Sequence, residues 1–105
     1  MMSKKIMLAC AAGMSTSLLV TKMQKAADAK NLDVEIFAVP VAEADQYVED
    51  KNVDVVLLGP QVRYMLQQFE QNLKPKGIPV AVIPMTDYGM MNGSKVIDLA
   101  EGLMK

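Results

Sequence analysis

The chain has 105 residues, 51% of them hydrophobic and 22% charged, enough for about one domain and composed like a folded protein rather than a disordered one. Eleven basic residues against twelve acids give a net charge of -1, so the basic field that nucleic-acid binding relies on is missing. One cysteine and no histidine exclude an internal disulfide, a four-cysteine or histidine-bearing zinc site, a Ser-His-Asp triad and a phosphohistidine carried by this chain; neither a metal nor a cofactor is expected.

In chain order, Ile6 to Ala9 is a short apolar run that reads as a first strand, buried on both faces. Lys4 and Lys5 before it, and Cys10 after it, superficially imitate a lipoprotein signal. A signal needs an apolar stretch of roughly 7–15 residues, whereas four residues separate Lys5 from Cys10. No stretch approaches the roughly 20 apolar residues of a membrane span, so a cytoplasmic protein without direct membrane insertion is expected. Leu19, Met23, Ala26 and Ala27 then fall on one helical face. Val34 to Val39 makes a second strand, placed at a sheet edge because Asp33 and Glu35 make it the most polar. A short acidic helix from about Glu43 to Asp50 turns Ala44, Tyr47 and Val48 inward. From Asp28 to Asp54 the eight acids and two lysines form a net negative segment, read as a solvated surface.

Val53 to Leu58 is the clearest buried strand, ended by Gly59-Pro60, and the spacing of Val62, Met65, Leu66, Phe69 and Leu73 predicts one helix after it. Lys74-Pro75-Lys76-Gly77 stops that helix. Val80 to Ile83 is a fourth strand, Met85 to Gly89 a loop, and Val96 to Met104 a final helix that starts near Asn92-Gly93-Ser94. Residues 1–105 therefore read as a single α/β domain, a four-stranded parallel sheet with helices on both faces. Right-handed crossovers favour the order 2-1-3-4. Ligands bind such sheets beyond the carboxyl ends of the strands where the order reverses; here Cys10 stands at that point, with the loops after Leu58 and Ile83 beside it.

The segment Cys10-Ala11-Ala12-Gly13-Met14-Ser15-Thr16-Ser17 joins the first strand to a helix. Gly13 permits backbone angles other residues resist, small side chains leave main-chain N–H groups open, and Ser15, Thr16 or Ser17 can cap the helix. The first helical turn and its dipole then make an anion site. No charged residue occurs from Ile6 through Thr21, so the attraction comes from the backbone. A lone cysteine at a strand end is commonly a small buried apolar residue. Beside this loop it reads better as a nucleophile, because helix N-termini favour thiolate and N–H groups can hold a phosphoryl group on sulfur.

The arrangement resembles the low-molecular-weight tyrosine phosphatases, whose loop runs Cys-x5-Arg. Thr16 occupies the arginine position, and the single arginine, Arg63, lies in the third helical segment. Without the guanidinium, or a histidine to activate water, the cradle persists and the hydrolytic machinery does not. Such a site suits a carrier whose phosphocysteine outlasts solvent. From Lys5 to Leu19, from Val53 to Leu66 with Gly59-Pro60-Gln61, and more loosely from Ile83 to Gly89, the chain resembles the lactose/cellobiose-type IIB components of the bacterial sugar phosphotransferase system. The resemblance implies that a IIA partner passes phosphate from its phosphohistidine to Cys10. Cys10 then passes it to a sugar, a cellobiose-like β-linked di- or oligosaccharide, bound in the membrane IIC component. It also implies a cradle of backbone N–H groups from Ala11, Ala12, Gly13, Met14, Ser15, Thr16 and Ser17.

Gly59, Pro60 and Gln61 read either as a wall of this site, with Gln61 touching phosphate or a partner, or as an ordinary strand stop and helix start. Asp87 and Tyr88 are further wall candidates, although a carboxylate would repel a phosphocysteine and Asp87 fits a turn-capping role better. Met14, Met85, Met90 and Met91 form either an adaptable rim for two partners or packing under loops. Three other functions remain open. A phosphatase or arsenate-reductase-like enzyme would turn over an aryl phosphate, and an anion- or flavin-binding module would show its ligand. A thiol-redox protein lacks its second cysteine here.

Overall fold

A strand buried on both faces must satisfy its backbone N–H and C=O groups within the sheet, and the first strand does so by pairing on both edges. The computed structural model describes residues 4–11 and 14–104, with the backbone alone for 14–16. β1 (Lys4–Cys10) runs parallel to β2 (Val34–Pro40), from Lys4 opposite Val34 to Cys10 opposite Pro40. On its other edge it pairs with β3 (Val55–Leu58), which in turn pairs with β4 (Val80–Val82). The order is β2-β1-β3-β4, the doubly wound parallel arrangement expected from the crossover rule.

The helices among the described residues are α1 (Met14–Ala29), α2 (Ala44–Lys51), α3 (Leu66–Leu73), α4 (Met85–Gly89) and α5 (Gly93–Met104). Side chains alternate across a strand, and this alternation divides the core. Ile6 and Leu8 pack with Leu19, Met23 and Ala27 of α1, Tyr88 of α4 and Val96, Ile97 and Ala100 of α5. Met7 and Ala9 pack on the other face with Ala44 and Val48 of α2 and with Phe69 and Leu73 of α3. Helices thus cover both faces, and β2 is an edge strand with Glu35 exposed, as its composition suggests.

Three local features depart from the expectations. β3 begins at Val55 rather than Val53, because the Asp54 carboxylate accepts the Lys5 N–H at 2.8 Å while the Asp54 N–H donates to the Lys5 carbonyl at 2.9 Å. A side chain occupies the first rung of that ladder. The single helix expected from Val62 is divided into a 3-10 segment, Pro60–Met65, and α3. Val62 sits at φ -117°, ψ 23°, and is pressed into the core directly after Pro60. The loop expected over residues 85–89 is α4, started by Pro84, whose carbonyl accepts the Tyr88 N–H at 3.0 Å. Met91 ends this turn in the left-handed region at φ 54°, and the Asn92 side-chain oxygen then caps α5 by accepting the Lys95 N–H at 3.2 Å.

α5 crosses α1 at Gly93, where a Cβ would lie 2.4 Å from the Lys22 carbonyl carbon and 2.6 Å from the Met23 nitrogen. Backbone atoms cannot swing aside as a side-chain tip can, so Gly93→Ala should cost about 3 kcal/mol, at the upper end for overpacking. Its Tm in thermal unfolding should fall by roughly 12 °C or more; an unchanged Tm contradicts this close crossing. At the far end of the same helix pair, Lys30 bonds Asp98 and lies 3.6 Å from Glu101. The Asp98 hydrogen bond, helped by both carboxylates, holds the exposed lysine above its ordinary pKa. A lysine raised in the folded state stabilises below its unfolded pKa and loses that contribution as pH rises through the folded one. The stability gap between wild type and Lys30→Met should therefore be small at neutral pH and close in strong alkali; a gap that widens there contradicts the pairing.

Candidate functional site

All four strands run the same way, so their carboxyl ends share one edge of the sheet, and Cys10 is the last residue of its central strand β1. The residue is buried, and its Sγ faces the Val39 carbonyl oxygen of β2 at 4.0 Å. On the β3 side the ladder continues past the strand ends. The Gly59 N–H donates to the Ala9 carbonyl at 2.9 Å and the Ile83 N–H to the Leu58 carbonyl at 2.9 Å. These bonds draw the segments after β3 and β4 to the level of Cys10. Gly59 comes so close that a Cβ on it would stand 3.4 Å from the Cys10 Cβ. The same point lies 3.0 Å from the Gln61 side-chain oxygen and 3.8 Å from the Ala9 carbonyl oxygen. Gly59 is therefore next to Cys10, as the strand order implies, and the Gln61 side-chain oxygen lies against Gly59, whereas Pro60 is buried as the first residue of the 3-10 segment.

Beyond Cys10 the chain reaches α1 at Met14. A helix leaves the N–H groups of its first turn without intrahelical acceptors, and in α1 that turn begins four positions after the thiol. Ala11 is exposed, and Ser17 is exposed with its carbonyl accepting the Thr21 hydroxyl at 3.2 Å. Ala12 and Gly13, with the side chains of Met14, Ser15 and Thr16, lie outside the described residues.

The two wall candidates after β4 part company. Tyr88 is 8% exposed and packs with Leu19 and Val96 in the core under α1 and α5. Asp87 is half-buried, and its contribution to the turn comes from the backbone, its carbonyl accepting the Asn92 N–H at 2.8 Å. Met85 and Met90 are exposed, while Met91 packs against the core. Leu18 and Tyr64 are exposed as well, and sequence periodicity did not single them out. Each follows the carboxyl end of a strand, in the first turns after β1 and β3. The only available signal was their apolar character at positions that the helical stripe does not bury.

A cleft of about 540 Å³ lined by Glu70, Lys74, Ile78, Val80 and Leu103 lies at the amino-terminal end of β4, the pole away from Cys10. The acids of residues 28–54 sit on exposed or half-buried positions of α1, β2, α2 and the segments beside them, in keeping with a solvated surface. No helix among the described residues is long and apolar enough to cross a membrane. What the Cys10 surroundings offer chemically is one sulfur, small neighbours and backbone dipoles, reached from the sheet's carboxyl edge.

Comparison with known proteins matches residues 5–99 to the model of the family described as the PTS system lactose/cellobiose-specific IIB subunit. The chain is 51% identical, over 99% of both lengths, to a galactose-specific EIIB component of Lactococcus lactis subsp. cremoris and equally to a cellobiose-specific EIIB component of Lactococcus lactis subsp. lactis. It is 42% identical, over 96% of both, to an oligo-beta-mannoside-specific EIIB component of Bacillus subtilis. In three dimensions it is similar to the cellobiose-specific phosphotransferase IIB component of Borrelia burgdorferi, with a TM-score of 0.79 and 44% identity over 98% of this chain and 93% of that one. The lactose-specific IIB domain of Streptococcus pneumoniae has the same fold, with a TM-score of 0.79 at 17% identity over 99% of this chain and 100% of that one. The chain belongs to the lactose/cellobiose-specific IIB subunits of the phosphotransferase system, phosphoryl carriers that work through a phosphocysteine intermediate.

Proposed function

We propose that Cys10 is the phosphoryl carrier, that the donor is a phosphohistidine of a IIA protein, and that the acceptor is a sugar held by a membrane IIC component. The observation that carries this reading is the cysteine count: the family works through a phosphocysteine, and the chain has one cysteine to supply it. Its place at the carboxyl end of the central strand, four positions before a helix start, supports the same assignment.

The first transfer forms an S–P bond and breaks the P–N bond of the donor. Cys10 Sγ attacks as thiolate, the bonding pair of P–N returns to the imidazole nitrogen, and the proton lost by the thiol is taken up by that imidazole or by water. The second transfer breaks S–P and forms an O–P bond to a sugar hydroxyl; the S–P bonding pair returns to the sulfur, and the hydroxyl proton passes to that thiolate or to water. Backbone N–H groups of residues 11 to 17 form the cradle that holds the phosphoryl oxygens, with the hydroxyls of Ser15, Thr16 or Ser17 assisting. Gly59 walls the site from the β3 side, and its lack of a side chain lets it approach the Cys10 Cβ closely.

The relatives' names divide among galactose, cellobiose and oligo-beta-mannoside. A β-linked disaccharide or oligosaccharide such as cellobiose is the proposed substrate, selected by the IIC component rather than by this chain. Residues 1–105 act as one carrier domain in the cytoplasm.

Intact mass after incubation with phosphoenolpyruvate, the general phosphotransferase proteins and a cognate IIA tests the assignment. Wild type should gain one phosphoryl group. Cys10→Ser should keep its fold and gain none, since it changes one buried sulfur to oxygen and removes the nucleophile. Phosphorylation of Cys10→Ser to the wild-type level, or none of wild type by any IIA that is itself shown to be phosphorylated, would falsify the carrier role.

A further inference from the structure

We propose that the side-chain amide of Gln61 is a hydrogen-bond donor to the phosphoryl group on Cys10, a neutral counterpart to the arginine missing from the loop; this rests on Cys10 being the carrier. Gln61 is exposed, in the first turn after β3. Its amide nevertheless folds back over Gly59, because the absence of a Cβ there leaves the space open. One point above Gly59 lies 3.0 Å from Gln61 Oε1 and 3.4 Å from Cys10 Cβ.

The thiol's present orientation indicates where a phosphoryl group must go. Sγ faces the Val39 carbonyl oxygen at 4.0 Å on the β2 side. Phosphorylation removes the S–H proton that such a contact uses and puts anionic oxygens on the sulfur, which a carbonyl oxygen repels. The side chain therefore turns from Val39, and the β3 side is the one walled by Gly59 and overhung by Gln61. A half-turn of the terminal torsion exchanges the amide oxygen for its NH2 group, so the side chain that presents Oε1 now presents two N–H donors to an anion. A neutral donor also suits a carrier. A guanidinium would hold the group more tightly and make it harder to pass on, whereas an amide holds it without adding charge.

The test measures an equilibrium rather than a rate. Partition of the phosphoryl group between IIA and this chain depends only on the free end states, so contacts made during docking do not alter it. A Gln61 that merely touched the partner would change the speed of transfer and leave the partition unchanged. Phosphorylated IIA is mixed with wild type, Gln61→Ala or Gln61→Glu and brought to equilibrium, and the partition is read by intact mass. Loss of a hydrogen bond to a charged group should lower the equilibrium constant about tenfold or more in Gln61→Ala. Gln61→Glu, similar in shape but negative beside the phosphoryl oxygens, should lower it further. The 31P resonance of the phosphocysteine should move in both variants. Thermal unfolding equal to wild type checks that each variant is folded, as expected for an exposed side chain. A wild-type chain that takes up no phosphate overturns the carrier assignment itself. Wild-type uptake with an unchanged partition in both variants, whether or not transfer is slowed, overturns the role of Gln61 alone.

Discussion

Hydrogen bonding on both edges of β1 is the constraint from which the rest of the architecture follows. Ile6 through Cys10 are all nearly inaccessible, so every backbone polar group in that run needs a partner inside the protein. β2 supplies them on one side and β3 on the other. A strand flanked in this way lies inside the sheet, and in a parallel sheet its carboxyl end opens where the chain order reverses. Cys10 is thus fixed by main-chain geometry rather than by side-chain contacts: Pro40 stands opposite it, and the next rung, from Gly59 to Ala9, closes the other side. The sulfur is held at the end of a strand paired on both edges, which suits the proposed role of a group that meets two reaction partners in turn.

The same constraint shapes the electrostatics. A residue emerging from a buried central strand has little room for a charged neighbour, and none occurs from Ile6 to Thr21. On the proposed assignment, anion affinity then has to come from oriented peptide dipoles, which cost no desolvation of a buried cation and add no net charge. This differs in kind from a guanidinium clamp. A clamp stabilises the transition state for attack by water; backbone donors without a water-activating histidine hold the group and leave hydrolysis uncatalysed. The acids of residues 28–54 fall on exposed or half-buried positions of α1, β2, α2 and the segments beside them.

The strands, their order and the position of Cys10 were legible because each rests on a short-range rule: apolar runs of the right length, turn residues between them and one handedness of crossover. What was not legible depends on three-dimensional neighbours. Asp54 reads in sequence as part of a strand, and only the proximity of the Lys5 N–H turns its carboxylate into a ladder rung. Tyr88 looked like an aromatic at a loop rim, yet one turn of helix after Pro84 carries it into the core. Periodicity could not find a helix of five residues, which is too short to show a repeat. Gly93 read only as part of a helix start, whereas its packing against the backbone of Lys22 makes it the point where two helices touch. The residues around Cys10 divide in the same way. Gly59-Pro60-Gln61 was readable as a site wall or a strand stop, but the approach of the Gln61 amide to the glycine exists only in space.

On the proposed assignment, geometry also sets the order of events. The sulfur sits at the foot of one sheet edge, with β2 on one flank and Gly59 on the other, so donor and acceptor must reach it from the same side. They cannot occupy it together. The exposed Leu18, Tyr64, Met85 and Met90 lie in the segments that leave this edge, and flexible methionines among them allow one surface to fit partners of different shape in turn. A carrier of this kind works by alternation: the group is received, the donor leaves, and the same face turns to the acceptor. A buried thiol on a rigid strand and an adaptable apolar rim are then complementary requirements. The first keeps the reacting atom in one place, and the second lets dissimilar proteins find it.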